Sequence, residues 1–268
     1  MTAISDGEAA DALLQVQGLQ VVFDGFRAID GLDFSVDRGE ARFLIGPNGA
    51  GKTTLVDAIT GLTRPEIGSV RFGGEEVLGK REHEIVRLGI GRTFQTPSVF
   101  EELSVLNNVD LAASYRRPLR SLLRGPGKID DRVVEVLETV GLSSVMEQAA
   151  RTLSHGQKQW LEIGMVLVQE PQLLLLDEPV AGMTKEERTA TGELIQRITE
   201  TRTVVVIEHD MDFVRRFASR VTVMHEGSVL TEGTVAEIQD NPLVEEVYLG
   251  RPRDARGAAP AAVGQGGQ

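Results

Sequence analysis

The residues best suited to chemistry in this sequence are those that can grip a polyphosphate. Gly46-Pro47-Asn48-Gly49-Ala50-Gly51-Lys52-Thr53, with Thr54 next, fills every fixed position of G-x-x-x-x-G-K-[ST]. Gly46, Gly49 and Gly51 have no Cβ, so the loop can turn its N–H groups inward against phosphate oxygens. A helix beginning near Lys52 adds unpaired amides and the positive end of its dipole. Lys52 then supplies a charge for the β- and γ-phosphates of a nucleotide such as ATP, and the Thr53 hydroxyl is a ligand for the accompanying Mg²⁺. A glycine-rich turn that binds nothing is the plain alternative, and the strand-loop-helix setting argues against it.

A second group follows four leucines: Asp177-Glu178-Pro179 closes the run Leu173 to Leu176. An apolar strand that delivers two carboxylates at its C-terminal end puts them at the ligand edge of a parallel sheet, where the phosphate loop also lies. Alternation along the strand separates their directions and hence their roles. Asp177 suits the Mg²⁺ shell, while Glu178 can polarise a water for attack on the γ-phosphorus. His209, after the apolar strand Thr203 to Ile207, reaches the same edge, where a neutral imidazole can hold the γ-phosphate, the water or Glu178.

These groups need a sheet to hold them. Ala41 to Ile45 leads into the loop, and Lys52 to Leu62 reads as a helix with Leu55, Ala58, Ile59 and Leu62 on one face. Leu173 to Leu176 and Val204 to Ile207 are continuous apolar runs, as parallel strands covered on both faces require, with a helix from Lys185 to Thr199 between them. Leu14 to Gln17, Leu19 to Phe23 and Ala28 to Val36 read as antiparallel strands ahead of the loop, with Ser69 to Phe72 and Ile90 to Phe94 as further strands. From about Leu103 to Val168 the texture is helical. Val221 to Met224 and Val229-Leu230 suggest a closing pair of strands, with short helices over 234–249.

The expected fold is α/β: a P-loop ATPase with a mostly parallel core sheet, an antiparallel β subdomain and a helical insert at about 96–168. The nucleotide-binding domain spans 13–250, and the polar ends, 1–12 and 251–268, are expected to be disordered. Asp plus Glu number 40 against 28 Lys plus Arg, a formal charge of −12, which disfavours a sequence-independent grip on nucleic acid. No cysteine is present, which excludes disulfides and thiolate-bound metals. The apolar runs fall far short of the roughly 18 residues of a membrane span, so a soluble, non-exported chain is expected. The dense basic cluster Arg116, Arg117, Arg120, Arg124 and Lys128 is either a solvated face or a contact with a membrane complex.

Leu153-Ser154-His155-Gly156-Gln157 precedes a helical run with Trp160, Ile163 and Leu167, and Ser154 alone would read as an N-cap. In the order phosphate loop, Gln95, LSHGQ, LLLLDEP, His209, the chain resembles the ATP-binding subunit of an ABC transporter over roughly residues 13 to 250. The resemblance implies that Phe23 stacks on adenine and that Gln95 touches Mg²⁺ and the attacking water. It implies that Ser154, Gly156 and Gln157 contact the γ-phosphate bound by a second ATPase subunit, so that two subunits sandwich two ATP molecules.

The implied partners are that second subunit, transmembrane permease subunits and a periplasmic or extracellular substrate-binding protein. The implied location is the cytoplasmic face of the inner (plasma) membrane, bound peripherally. Two positions depart from the usual pattern: His155 stands where glycine is usual, and Thr184 where an aspartate is. Both suggest a different ATPase subunit as partner. Ala181-Gly182-Met183 resembles the branch that serves amino acids, amides and urea, and Ser154 to Glu162 resembles its urea members. An ATPase of a branched-chain amino acid importer, an ABC-type ATPase acting outside transport, and an ATP-gated clamp without turnover are the rival readings.

Overall fold

The computed structural model describes residues 12–114 and 129–249. The chain ends expected to be disordered lie outside them, except that Ala12 already belongs to a strand. The basic cluster Arg116 to Lys128 also lies outside.

Ten strands form two sheets among the described residues. β1 (Ala12–Phe23), β2 (Phe26–Asp37), β4 (Ile67–Phe72) and β5 (Glu75–Glu76) make an antiparallel sheet in the order β2-β1-β4-β5. β3 (Ala41–Ile45), β6 (Ile90–Arg92), β7 (Leu173–Asp177), β8 (Thr203–Ile207), β9 (Arg220–His225) and β10 (Ser228–Gly233) make the other, ordered β10-β9-β3-β8-β7-β6. The five neighbours from β9 to β6 run parallel, and β10 is the antiparallel edge. This is the mixed α/β architecture that the sequence predicts.

The run of leucines shows why β7 lies inside the sheet and not at its edge. Leu173 and Leu175 face a core shared with the antiparallel sheet and helix Lys52–Ile59. Leu174 and Leu176 face a second core built with helices Val105–Ala113, Asp131–Thr139, His155–Leu167 and Lys185–Thr199. Alternation at period two sends apolar side chains to both faces, and both are covered. Each fully buried leucine contributes about 1.5–3 kcal/mol.

Several expected boundaries shift. The two apolar runs before Phe23 form one bulged strand, β1. Helix Lys52–Ile59 stops short of Leu62, because Gly61 takes φ 80° and leaves the helical region. β6 ends at Arg92, with Thr93 N still donating to Leu175 O before the chain leaves the sheet, so Phe94 and Gln95 belong to a loop.

Candidate functional site

β3, hydrogen-bonded on both sides, carries the chain into the phosphate loop. Gly51 caps the following helix at φ 99°, and a Cβ there would lie 2.7 Å from Ala28 O, so only glycine fits. Asn48 and Gly49 are exposed at the loop's crest, and Thr53 is exposed in the first helical turn. Lys52 is only 8% exposed; its Nζ donates to Gly46 O at 2.8 Å and Pro47 O at 3.1 Å. Burial lowers the Lys52 pKa below that of an ordinary lysine, while the nearby Glu178 and Asp177 charges pull it back up.

β7 and β8 bring the remaining groups to this edge. Asp177 pairs in register with Ile207, and the ladder continues one step further as Glu178 N donates to Ile207 O at 3.0 Å. Asp177 is buried; Oδ2 accepts from Arg92 Nη2 at 3.2 Å, and Oδ1 has no partner among the described residues. Burial raises the Asp177 pKa, and Arg92 opposes that rise. Glu178 takes φ 50°, a conformation rare for a side-chain-bearing residue, which turns it out of the sheet. Its Oε1 lies 3.4 Å from His209 Nδ1. Lys52, Asp177, Glu178 and His209, predicted from separate stretches, thus meet at one sheet edge.

Among the described residues, no hydrogen bond or ion pair ties the other predicted residues outside the phosphate loop to that cluster. Phe23 ends β1, half-exposed, opposite the more exposed Phe26 across the Asp24-Gly25 turn. Gln95 is exposed in its loop. Ser154 caps helix His155–Leu167 by accepting from Gln157 N at 3.2 Å, while Gln157 Oε1 accepts from Ser154 N at 3.0 Å. The Ser154 hydroxyl donates to Glu187 Oε1 at 3.0 Å, and a Cβ on Gly156 would lie 2.7 Å from that same oxygen. His155 Nε2 lies 3.2 Å from Ala181 O, and Thr184 caps helix Lys185–Thr199. Among the described residues, no hydrogen bond joins Ser154 or Gln157 to the phosphate loop.

Sequence reasoning missed three supporting groups. Arg92 bridges Asp177 to Asp57, on the helix that follows the phosphate loop. Glu208, 1% exposed, accepts from Val180 N at 3.2 Å and His209 N at 3.1 Å, tying the backbone after Glu178 to that of His209. Glu162 is buried beneath the Gln95 loop. The overlooked signal is a charged residue placed directly on or after an apolar run, which must find a partner if buried.

The sequence pattern of the ABC transporter family matches residues 29–181. The high-affinity branched-chain amino acid transport ATP-binding protein BraF of Pseudomonas aeruginosa is 36% identical over 250 residues, covering 89% of this chain and 98% of that one. A probable branched-chain amino acid transport ATP-binding protein, LivG, of Archaeoglobus fulgidus is 34% identical over 89% of this chain and 95% of its own. The nucleotide-free crystal structure of an ATP-binding cassette from an ABC transporter superposes with a TM-score of 0.79 at 31% identity, covering 90% of this chain and all (100%) of that one. Phosphate loop, paired carboxylates and histidine therefore sit on a fold and in a sequence that agree, and the chain belongs to the ABC transporter family as an ATP-binding subunit whose ATPase activity is coupled to transport.

Proposed function

We propose that the chain hydrolyses ATP with Glu178 as general base, and that the observation carrying this is the convergence of Lys52, Asp177, Glu178 and His209 at the end of β7 and β8. Lys52 exchanges its neutral carbonyl partners for the β- and γ-phosphates, while backbone amides of residues 46–54 cradle them. The unpartnered Asp177 Oδ1 and the exposed Thr53 hydroxyl fit a hard cation's preference for oxygen, so these two, with Gln95, would hold Mg²⁺. That ion neutralises phosphate charge when bound. Glu178 accepts the proton of the attacking water as the new Pγ–O bond forms and the bond to the β-phosphate oxygen breaks, releasing ADP. His209 orients Glu178 and the γ-phosphate, and Phe23 stacks on adenine.

Ser154, Gly156 and Gln157 face the nucleotide of a second ATPase subunit. His155 and Thr184, both turned onto this chain's own backbone, favour a different subunit over a second copy. No helix among the described residues is long and apolar enough to cross a membrane, so attachment is through permease subunits at the cytoplasmic face of the plasma membrane, with a substrate-binding protein on the other side. The cargo is a small nitrogen compound. Relatives named for branched-chain amino acid transport support one member of that class, and the run Ser154 to Glu162 supports urea as the other. Reconstitution with candidate permease subunits, followed by uptake of labelled urea and labelled leucine, separates them. Uptake of neither with ATP hydrolysis intact would defeat the importer reading for this class.

A further inference from the structure

Helix His155–Leu167 is buried on most sides, and it carries one buried carboxylate between the buried Leu161 and Ile163. Glu162 is 4% exposed, and its Oε2 is buried with no partner among the described residues. A leucine would fill such a position without the cost of desolvating a carboxyl. The acid is therefore there for what its other oxygen does. Oε1 accepts from Phe94 N and from Ser98 N, both at 3.3 Å, gripping the two ends of the turn that presents Gln95. These are the only hydrogen bonds made by residues 94–98 among the described residues. On either side the chain is already fixed: Thr93 N donates to Leu175 O, and Asn108 brackets Phe100 through its N–H and its carbonyl.

We propose that Glu162 is the positioning residue of the Gln95 loop: from the helix that starts beside Ser154, its carboxyl holds both ends of the turn and so sets where Gln95 reaches. Glu162 is eight positions after Ser154, roughly 12 Å along the helix. A displacement of the helix N-terminus by a partner subunit is thereby passed to Gln95 without any intervening flexible segment. The proposal rests on the role given to Gln95 at the nucleotide.

The test compares Glu162→Ala, Glu162→Asp and Glu162→Gln in the full chain, with Gln95→Ala beside them. Amide hydrogen exchange at Phe94 and Ser98, measured without nucleotide, should rise about tenfold or more in the Ala and Asp variants. It should stay near the parent value in Gln, whose carbonyl can accept both amides. ATP affinity should change less than twofold in all of them, while the Mg²⁺ concentration giving half-maximal hydrolysis should rise roughly tenfold in Ala and Asp. Adding Gln95→Ala to Glu162→Ala should cost nothing further. If Ala fails to fold, Asp carries the same comparison, because its shorter arm cannot reach both amides. Unchanged exchange and Mg²⁺ dependence in Ala or Asp, with Gln95→Ala impaired, overturns the proposal alone; normal Mg²⁺ dependence in Gln95→Ala overturns the role of Gln95 and the proposal with it.

Discussion

The Ser154 hydroxyl gives its only proton to Glu187, at 3.0 Å, while its oxygen accepts the Gln157 amide. A hydroxyl has one hydrogen to donate, so in the role proposed for Ser154 a second subunit's phosphate oxygen would have to displace Glu187 to take that hydrogen bond. Glu187 also accepts from Thr184 N, at 3.0 Å, so the same carboxylate caps helix Lys185–Thr199.

Glu187→Ala should therefore tighten ATP-dependent subunit association by roughly fivefold, the weight of one released hydrogen bond. The lost capping contact should cost about 1 kcal/mol of folding stability. Glu187→Gln, which keeps an acceptor but removes the charge, should fall between parent and Ala. Sedimentation in ATP, in a background carrying Glu178→Gln, reads the association; weaker association in Ala than in the parent would show that Glu187 supports the interface instead of competing for it.

Glu178→Gln should leave ATP affinity within about twofold of the parent and lower turnover by roughly 10²-fold or more, since the amide keeps the shape but cannot accept the proton. Nucleotide titration and phosphate release check the two halves separately. Near-normal turnover would remove Glu178 from the role of base.

Lys52→Ala should weaken nucleotide binding itself, by roughly 10- to 100-fold, because charge-assisted contacts to phosphate are worth about 1.5–3 kcal/mol. Stability should move little by comparison, since among the described residues the Lys52 ammonium is bonded only to two loop carbonyls. Fluorescent nucleotide affinity decides, and an unchanged dissociation constant would mean that the loop holds phosphate without it.

Burial raises the Glu162 carboxyl to about 7, the amides of Ser98 and Phe94 opposing the rise. A carboxyl that binds its proton more tightly in the folded chain destabilises the fold as pH climbs from the ordinary glutamate value towards 7. The loss is on the order of 3 kcal/mol and is complete above that pH. Glu162→Gln cannot ionise, so its stability relative to the parent should improve between pH 5 and pH 8. Denaturant midpoints at the two pH values check this, and a difference that does not depend on pH would contradict it.

The framework was legible because its signals are local. The loop from Gly46 to Thr53 and the apolar runs of β7 and β8 announce themselves by composition, and the helix Lys185–Thr199 is found where its pattern places it. The meeting of Glu178 with His209 was also legible, because two parallel strands ending together bring their next residues together. Arg92, Glu208, Glu162 and Glu187 were not. Each acts through a partner distant in sequence, as Arg92 does with Asp57 and Asp177, and a single charged residue carries no mark of its partner. The end of β6 at Arg92 was missed for a related reason: the pattern of Thr93 and Phe94 still reads as strand, but once Thr93 N has bonded Leu175 O the chain turns away from β7.

β7 is laddered to β8 over Leu173 to Asp177 and to β6 over its first three residues, all of it sealed from water. Backbone paired and buried in this way lies at the stable end of local opening. The two carboxylates are thus set at the tip of an anvil of well-anchored backbone near the phosphate loop. Any stroke that accompanied nucleotide arrival and departure would fall to the surrounding parts, the Lys52 side chain, the turn at Gln95 and the helix behind Ser154, with Asp177 as their fixed reference.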